Sequence, residues 1–418
     1  RSVRDNQALP PSVLVAQLRD HLAAVWGDEV VEERTTEHPL QPFSRRYFEP
    51  GGALFTYARE WRAAHEALPD EAPAATAPRD EGAARLTLVD LAAFVRNPVQ
   101  AWCRHRLQVQ FPRDDPAAED DEPFGDDGLE RWGLGDAVLR AVQAAEGAAV
   151  AAGAMDAASA VADAVARLGR AGALPLAGPG QWAQRQWQQT LAPAVAAWQA
   201  QVRDTVPRDT PLAIHLAPAD APALDDALGD LRVAGDGSLC WVALQASRLL
   251  DGSTKGFDVK HLRADKLVPA WLKALACAAA GVPATGILIG PDAQLTLRAP
   301  PASEAQQVLA DLLRAWQAGT QGDAPWPAAV GTGLTWLGDK PDAAQAVYEG
   351  GERQRGERDE PCLRRLYPDF ETLRGAAGFD EAVERLYHPL QAWLSADVQG
   401  ARLSAERGAM TSAEMGDA

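Results

Sequence analysis

Apolar residues recur at helical spacing near the start of the chain. Five of them share one stripe between residues 12 and 25: Val13, Leu14, Leu18, Leu22 and Val25. Such a stripe is typical of a helix that buries one face against a neighbour. We therefore predict a packed surface helix there, with Ser12 as its N-cap.

A second helical pattern begins at Thr87 and Asp90, which are spaced as a capping box. Pro98 lacks a backbone donor and disfavours helical geometry at Asn97, so we predict that this helix breaks before Val99. Three further helical patterns follow: 134–145, 156–171 and 181–204.

The second half of the chain contains short apolar runs that are bounded by Asp, Gly or Pro. Four of these runs predict strands: 212–216, 228–233, 239–244 and 285–289. Gly235-Asp236-Gly237 predicts a hairpin turn between two of them, because Gly and Asp tolerate positive φ. Helical patterns at 264–280 and 303–317 complete a predicted α/β fold.

Two segments lack an apolar period. Residues 67–85 are rich in Pro, Ala, Asp and Glu, which predicts a linker between two structural units. Beyond Trp393 the chain becomes polar and aperiodic. We predict a flexible tail at 396–418.

The composition allows a sizeable core, because 47% of the 418 residues are hydrophobic and 23% are charged. No apolar run reaches the length of a transmembrane span. Residues 1–6 are polar and no Met precedes them, so we expect a fragment without a secretory signal. The net charge of −18 argues against a surface that binds nucleic acid everywhere, and any DNA contact must be local.

Motifs for cofactor or metal chemistry are missing from the sequence. The four cysteines lie far apart, which favours a reducing, cytoplasmic setting over a zinc site or disulfide framework. No phosphate-binding loop occurs, and Gly331-Thr332-Gly333 lacks the third glycine of a dinucleotide fingerprint. The seven histidines show no metal-ligand spacing. We expect this chain to bind no cofactor and no metal.

For two other features we favour a structural role over a functional one. The eight carboxylates between residues 114 and 127 do not match a calcium loop, which favours a solvated acidic loop. Trp187 and Trp198 could stack on the bases of single-stranded DNA, but their spacing favours core packing.

One basic cluster stands out in an otherwise acidic chain. It comprises Arg248, Lys255, Lys260, His261, Arg263, Lys266 and Lys273. This concentration suits contacts to DNA phosphates. The alternative is a solvated flank above packed apolar residues such as Leu267 and Trp271.

Five sequence blocks, in order, resemble the RecC family, the RecC subunits of exodeoxyribonuclease V. They start with RSVRDNQALPPSVLVAQL, LTLVDLAAFVRNPVQAWCRHRLQVQF and DDEPFGDDGLERWGL. The fourth is VKHLRADKLVPAWLKALACAAAG, and the fifth runs from Tyr348-Glu349-Gly350 to Tyr387-His388-Pro389-Leu390. The likeness extends over nearly the whole chain.

The resemblance implies a domain organisation. Residues 1–66 would be the end of a degenerate helicase-like domain, and 86–395 would form the RecC C-terminal nuclease-like domain. The expected fold of the latter is α/β and restriction-endonuclease-like, of the PD-(D/E)xK type, with an inactive site and many added helices.

The active nuclease of this fold, carried by the RecB partner, places an Asp on one strand and an acid-x-Lys pair on the next. In this sequence those positions fall near Gly229-Asp230 and near Cys240-Trp241-Val242. No acid-x-Lys pair occurs there, so we expect no catalytic residue in this chain.

The function implied is that of a non-catalytic scaffold that handles DNA in complex with RecB-type and RecD-type subunits, with ATP and Mg bound by those partners. One alternative is an active magnesium-dependent nuclease that uses Asp225, Asp226 and Asp230 with Lys255 or Lys260. Another is a protein-interaction module without DNA contact, as the acidic balance suggests.

Overall fold

The computed structural model divides the chain into two compact units, Arg1–Arg79 and Asp80–Ala418. The residues that the structure describes are 11–39, 41, 43–49, 51–52, 54–58, 61–62, 65, 85–111, 128–149, 156–251, 256–338, 340–351 and 354–403. Residues 67–84 of the predicted linker and the acidic stretch at 114–127 lie outside them. None of the described helices is both long and apolar enough to span a bilayer.

The first unit contains helices α1 (Val13–Trp26) and α2 (Asp28–Arg34) and a 3-10 helix at Arg45–Tyr47. The Ser12 hydroxyl accepts a hydrogen bond from the Val15 amide, which confirms the predicted cap. The prediction that α1 packs was wrong, because Val13 and Leu14 are 72% and 79% exposed. No residue of this helix is buried.

Twelve helices are described in the second unit. They are α3 (Leu88–Arg96), α4 (Pro98–His105), α5 (Gly128–Ala149), α6 (Ala157–Arg170), α7 (Ala177–Arg203), α8 (Ala264–Ala279), α9 (Ala302–Gln321), α10 (Val330–Leu337), α11 (Pro341–Glu349), α12 (Pro361–Leu366), α13 (Phe370–Gly375) and α14 (Phe379–Asp397). The Thr87 and Asp90 capping box and the break at Asn97 are both confirmed. Asn97 also caps α4 by accepting a hydrogen bond from the Gln100 amide.

The strands of this unit are β1 (Thr205–Pro207), β2 (Leu212–Leu216), β3 (Leu224–Leu228), β4 (Leu231–Ala234), β5 (Leu239–Leu244), β6 (Thr285–Ile289), β7 (Ala293–Leu297), β8 (Gly350–Gly351), β9 (Gln354–Arg355) and β10 (Val398–Arg402). Six of them form a mixed sheet in the order β1-β4-β5-β6-β7-β10, in which only β5 and β6 are parallel. The remaining strands form two antiparallel pairs, β2-β3 and β8-β9. A mixed α/β fold is therefore confirmed.

Strand prediction succeeded where apolar runs are continuous. The predicted strands at 212–216, 239–244 and 285–289 are β2, β5 and β6. The run at 228–233 was wrong as a single strand, because Gly229 and Asp230 separate β3 from β4. A turn between two strands had been included in one apolar run.

The predicted tail at 396–418 was wrong at its start, because 398–402 form the edge strand β10 on β7. This strand is polar, and only Val398 is buried, so an apolar pattern could not reveal it. Main-chain hydrogen bonds hold it, and Gly400 lets the backbone approach Leu295. Residues 404–418 lie outside the described part.

Helices cover both faces of the six-stranded sheet. On one face, α8, α9 and α14 share a core with Trp241 and Leu288. On the other face, α5, α6 and α7 pack against Val242 and Ile289. Trp198 is buried in this second core and Trp187 packs against it, which confirms their structural interpretation.

Candidate nucleic-acid interface

The β4-β5 hairpin contains the positions that the sequence analysis aligned with the metal-binding residues of a nuclease. Its turn is the predicted one: Gly237 has φ of 83°, and Asp236 accepts a hydrogen bond from the Ser238 amide at 2.9 Å. The register pairs Leu231 with Trp241, which places Asp230 at the base of the hairpin. The sequence-based alignment of Asp230 with this part of β5 therefore agrees with the strand pairing.

Packed side chains occupy the part of β5 that the sequence analysis aligned with the acid-x-Lys pair. Cys240 is buried, and burial raises the pKa of its thiol. Trp241 is only 1% exposed, while Val242 packs into the core on the opposite face. Gly286 on β6 makes room for the indole, because a Cβ there would lie 2.2 Å from the Trp241 ring. The position is built for packing.

Asp230 is held by Lys273 of α8. The Lys273 ammonium forms an ion pair with the Asp230 carboxylate and also lies 4.6 Å from the centroid of a Trp241 ring. The Lys273 side chain is 13% exposed and that of Asp230 is 63% exposed. The Lys273 ammonium, the Trp241 ring and the Asp230 carboxylate therefore stabilise one another at the residue that the sequence analysis aligned with the first acidic position of a nuclease.

The other two carboxylates proposed for an active nuclease have separate structural roles. Asp226 accepts a hydrogen bond from the Leu88 amide at 2.9 Å, at the start of α3. Asp225 forms a 3.5 Å ion pair with Arg85. Both lie on β3 of the two-stranded sheet, whereas Asp230 precedes β4 of the six-stranded sheet. Within the described ranges, no group of three or more His, Cys, Asp or Glu side chains has a metal-binding arrangement.

A cleft with a volume of about 940 Å³ opens beside this hairpin. Asp230, Trp241 and Lys273 contribute to one wall. Residues of the α8 N-terminal region, the start of α10, and Arg96 of α3 contribute to the rest. A volume of this size is at the upper end of ligand pockets, which span about 300–1,000 Å³.

The structure separates the members of the predicted basic cluster. Arg263, Lys266 and Lys273 line the cleft, whereas Arg248, Lys260 and His261 do not. Lys255 lies outside the described residues. Only part of the predicted cluster therefore lines the cleft.

Most of the described cations of that cluster form ion pairs with aspartates. Arg263 lies 3.7 Å from Asp251, and Lys266 lies 3.1 Å from Asp265. Arg248 lies 3.4 Å from Asp292, whose carboxylate also accepts the Leu249 and Leu250 amides. These ion pairs reduce the local positive charge that DNA phosphates would meet.

The sequence analysis missed two basic residues of the cleft, Arg96 and Arg355. Both are exposed, and neither guanidinium has a hydrogen bond or ion pair within the described part of the chain. Loss of solvation in the cleft lowers the pKa of Arg96, while the charge of Asp265 opposes that shift. The two arginines lie far apart in sequence, so no local cluster could indicate them.

Glu357 closes another part of the cleft by capping α10. Its carboxylate accepts hydrogen bonds from the Gly331 amide at 2.8 Å, the Thr332 amide at 2.8 Å and the Thr332 hydroxyl at 2.6 Å. Burial raises the pKa of Glu357, and these hydrogen bonds oppose that shift. The Gly331-Thr332-Gly333 segment thus begins a helix whose amides are already occupied.

Comparison with known proteins gives one family. Residues 83–340 match the model of the RecC C-terminal domain. The RecBCD enzyme subunit RecC of Mycobacterium tuberculosis (strain H37Rv) is 34% identical over 146 residues, which cover 33% of this chain and 13% of that protein.

The same-named proteins of Escherichia coli (strain K12) and Haemophilus influenzae (strain Rd) are each 32% identical, over 162 and 146 residues. Those matches cover 34% and 32% of this chain. They span 14% and 12% of the two relatives, so the likeness covers about an eighth of each relative's length.

Proposed function

Since this chain belongs to the RecC family through its RecC C-terminal domain at residues 83–340, we propose that it is a non-catalytic scaffold that handles DNA within an ATP-dependent helicase and exonuclease complex. The complex would act on double-strand DNA ends in recombinational repair, in the cytoplasm. Its relatives are named as RecBCD enzyme subunits, which supports RecB-type and RecD-type partners. ATP and magnesium would be bound by those partners.

The proposal includes a restriction-endonuclease-like fold for residues 86–395. Its support is the order of the elements: β4 and β5 form an antiparallel hairpin, α8 follows, and β6 pairs parallel to β5. The remaining helices would be additions to this core. Residues 1–66 would be the end of a degenerate helicase-like domain.

The filled acid-x-Lys position carries the non-catalytic part of the proposal. A magnesium-dependent nuclease needs hard oxygen ligands to hold the ion that activates water. Buried Cys240 and Trp241 provide none, and the neighbouring Asp230 is paired with Lys273. Such a site can support a DNA-guiding surface but has no means to position a hydrolytic metal.

Reconstitution tests this proposal. The chain, produced with RecB-type and RecD-type subunits, should co-purify with them, and Asp230→Asn should leave ATP-dependent DNA degradation by the complex unchanged. Asp209→Asn, on an exposed loop residue, is the matched control. Failure to associate would overturn the scaffold role, and selective loss of degradation in Asp230→Asn would overturn the non-catalytic role.

A protein-interaction module without DNA contact is the second candidate. The ion pairs at Arg248, Arg263 and Lys266 favour it, because paired cations attract phosphates weakly. Charge reversal at Lys260, Arg263 and Lys266 distinguishes the two. DNA binding by the reconstituted complex should weaken if the predicted basic cluster contacts DNA, and should stay unchanged for a pure interaction module.

A further inference from the structure

Two of the four cysteines, which lie far apart in sequence, meet in the fold. Cys103 belongs to α4 and Cys362 to α12, and both are free thiols buried in the same core. Their side chains are hydrogen-bonded to each other. The other two cysteines, Cys240 and Cys277, have charged side chains as neighbours. The fold therefore brings one pair of thiols into contact.

Contacts between α4 and α12 hold these two thiols from both sides. Before the cysteines, the Glu360 carboxylate accepts hydrogen bonds from Asn97 at 3.3 Å and from Gln100 at 3.2 Å, and it also caps α12. After them, the Arg365 guanidinium lies 4.4 Å from the centroid of the Phe111 ring. The two helices therefore run in the same direction, and the thiols lie between two fixed contacts.

We propose that Cys103 and Cys362 are an oxidation site, at which a peroxide creates an intrachain disulfide that fixes α12 to α4. The thiols are already neighbours, so the bond needs no rearrangement of the sheet or of its covering helices. In a reducing compartment such a disulfide is a reversible, redox-sensing bond and not a permanent part of the fold. This inference goes beyond the proposed function and does not depend on it.

Hydrogen peroxide supplies the oxidant for this two-electron step. The Cys103 thiolate attacks one peroxide oxygen, the O–O bond breaks, and the leaving hydroxide takes the proton lost by the thiol to give water. Cys103 is then a sulfenic acid. The Cys362 sulfur attacks the Cys103 sulfur, the S–S bond forms, and the sulfenic hydroxyl leaves with the Cys362 proton as a second water. Two thiols are oxidised and one peroxide is reduced to two waters.

The shared hydrogen bond distinguishes the roles of the two thiols. Burial raises the pKa of both, whereas the hydrogen bond lowers the pKa of Cys103 and raises that of Cys362. Cys103 is therefore the thiol that ionises first and attacks the oxidant. Because burial still keeps most of Cys103 protonated at neutral pH, the disulfide forms slowly there and faster in alkaline solution.

The crosslink fixes a large part of the second unit. It closes a loop of about 260 residues, and long loops lose the most unfolded-state entropy when they are crosslinked. Asn97 beside α4 and Glu360 and Leu363 beside α12 line a second cavity of about 360 Å³, which shares Arg96 and Arg355 with the cleft. The disulfide therefore holds two walls of that cavity together.

Peptide mapping of the full chain tests the site directly. The protein is treated with hydrogen peroxide, and free thiols are then blocked with N-ethylmaleimide in urea. Trypsin should release residues 97–104 joined to residues 359–364, while Cys240 and Cys277 are recovered as blocked, unlinked thiols. The rate of crosslinking should rise about tenfold per pH unit up to about pH 9, because the thiolate attacks. Dithiothreitol should reverse the link.

Thermal unfolding and sulfenic-acid trapping separate the two roles. The crosslink should raise the midpoint of thermal unfolding by roughly 5–10 °C, and Cys103→Ala or Cys362→Ala should abolish this shift. Cys240→Ala, which removes another buried thiol, is the matched control and should keep it. In Cys362→Ala, dimedone should trap a sulfenic acid at Cys103, because the thiol that resolves it is missing.

Two results would overturn the site. One is recovery of both thiols unlinked at a peroxide concentration that oxidises them in the urea-unfolded chain. The other is a set of crosslinks that join Cys103 or Cys362 to Cys240, to Cys277 or to a second chain as readily as to each other. Neither DNA nor a partner subunit is present in these measurements, so their outcome is independent of the scaffold role.

Discussion

Two groups of residues in the same cleft use charge in opposite ways. The packed wall, which consists of Asp230, Trp241 and Lys273, pairs its one carboxylate with its one ammonium over a buried indole. The open wall, which consists of Arg96 and Arg355, presents two guanidinium groups to solvent. The comparison teaches that the partners of a charged residue, more than its presence in a basic cluster, indicate whether it can bind a ligand.

The packed wall contributes to the hydrophobic core of the second unit. The Trp241 side chain fills the space above Gly286 and joins the core formed with α8. Burial of an aromatic side chain contributes a large share of hydrophobic stabilisation. Trp241, which the resemblance aligns with the acid-x-Lys pair, is therefore a core residue.

The largest effect should follow from removal of that indole. Trp241→Ala should lower the free energy of unfolding by about 3–5 kcal/mol, because it leaves a cavity in a close-packed core. Urea denaturation measures this change. Trp182→Ala, where the side chain is 56% exposed on α7, should change stability by no more than about 0.5 kcal/mol. A similar small loss for both variants would show that Trp241 does not support the packed wall.

A smaller loss of unfolding free energy should follow when a methyl group is added at Gly286, which lies against the Trp241 indole. Gly286→Ala should cost about 1–3 kcal/mol in the same assay, because its Cβ overlaps the Trp241 ring. Gly229→Ala is the matched control, since no heavy atom lies within 4 Å of its added Cβ. The loss of stability caused by Gly286→Ala should be smaller in a Trp241→Leu background, because the two side chains contact each other and their effects are coupled. If the stability losses of Gly286→Ala and Trp241→Leu simply added up in the double variant, a direct overlap of the two side chains would be contradicted.

The ion pair of the packed wall should contribute less than its core. Lys273→Met keeps the aliphatic stem and should lower the free energy of unfolding by about 1 kcal/mol, through loss of the cation-π contact and the partly exposed ion pair. A double-mutant cycle with Asp230→Asn measures the coupling between the two charges. An increase in stability in Lys273→Met would show that the charge is kept for a purpose other than packing.

The smallest effect on the fold, and one that depends on pH, concerns Cys277 on α8. Burial raises the pKa of its thiol to about 11, so the thiol stays protonated at neutral pH. The rate of alkylation by iodoacetamide, followed by peptide mass spectrometry, should keep rising tenfold per pH unit beyond pH 9. The raised pKa also means that any stabilisation by the neutral thiol is lost between about pH 9 and 11. A plateau near pH 9 would contradict the burial.

Local sequence determined the elements that were predicted correctly. The Thr87 and Asp90 capping box, the break at Pro98 and the turn at Gly235-Asp236-Gly237 each depend on neighbours within four residues. These features require no knowledge of tertiary contacts.

Tertiary contacts account for what sequence analysis missed. Asp292, Asp251 and Asp230 lie outside any spacing rule that would link them to the basic cluster, yet they pair with three of its members. Arg96 and Arg355 line the same two cavities only because the fold brings α3 and β9 close together. Likewise, β10 forms by main-chain pairing with β7, which a polar sequence does not reveal.

Incubation of the purified chain with labelled single-stranded and double-stranded DNA, at increasing concentrations of Mg²⁺ or Mn²⁺, tests the non-catalytic assignment most directly. We expect the DNA to remain intact at every metal concentration. Metal-dependent cleavage by the wild-type chain that Asp230→Asn abolishes would contradict this account.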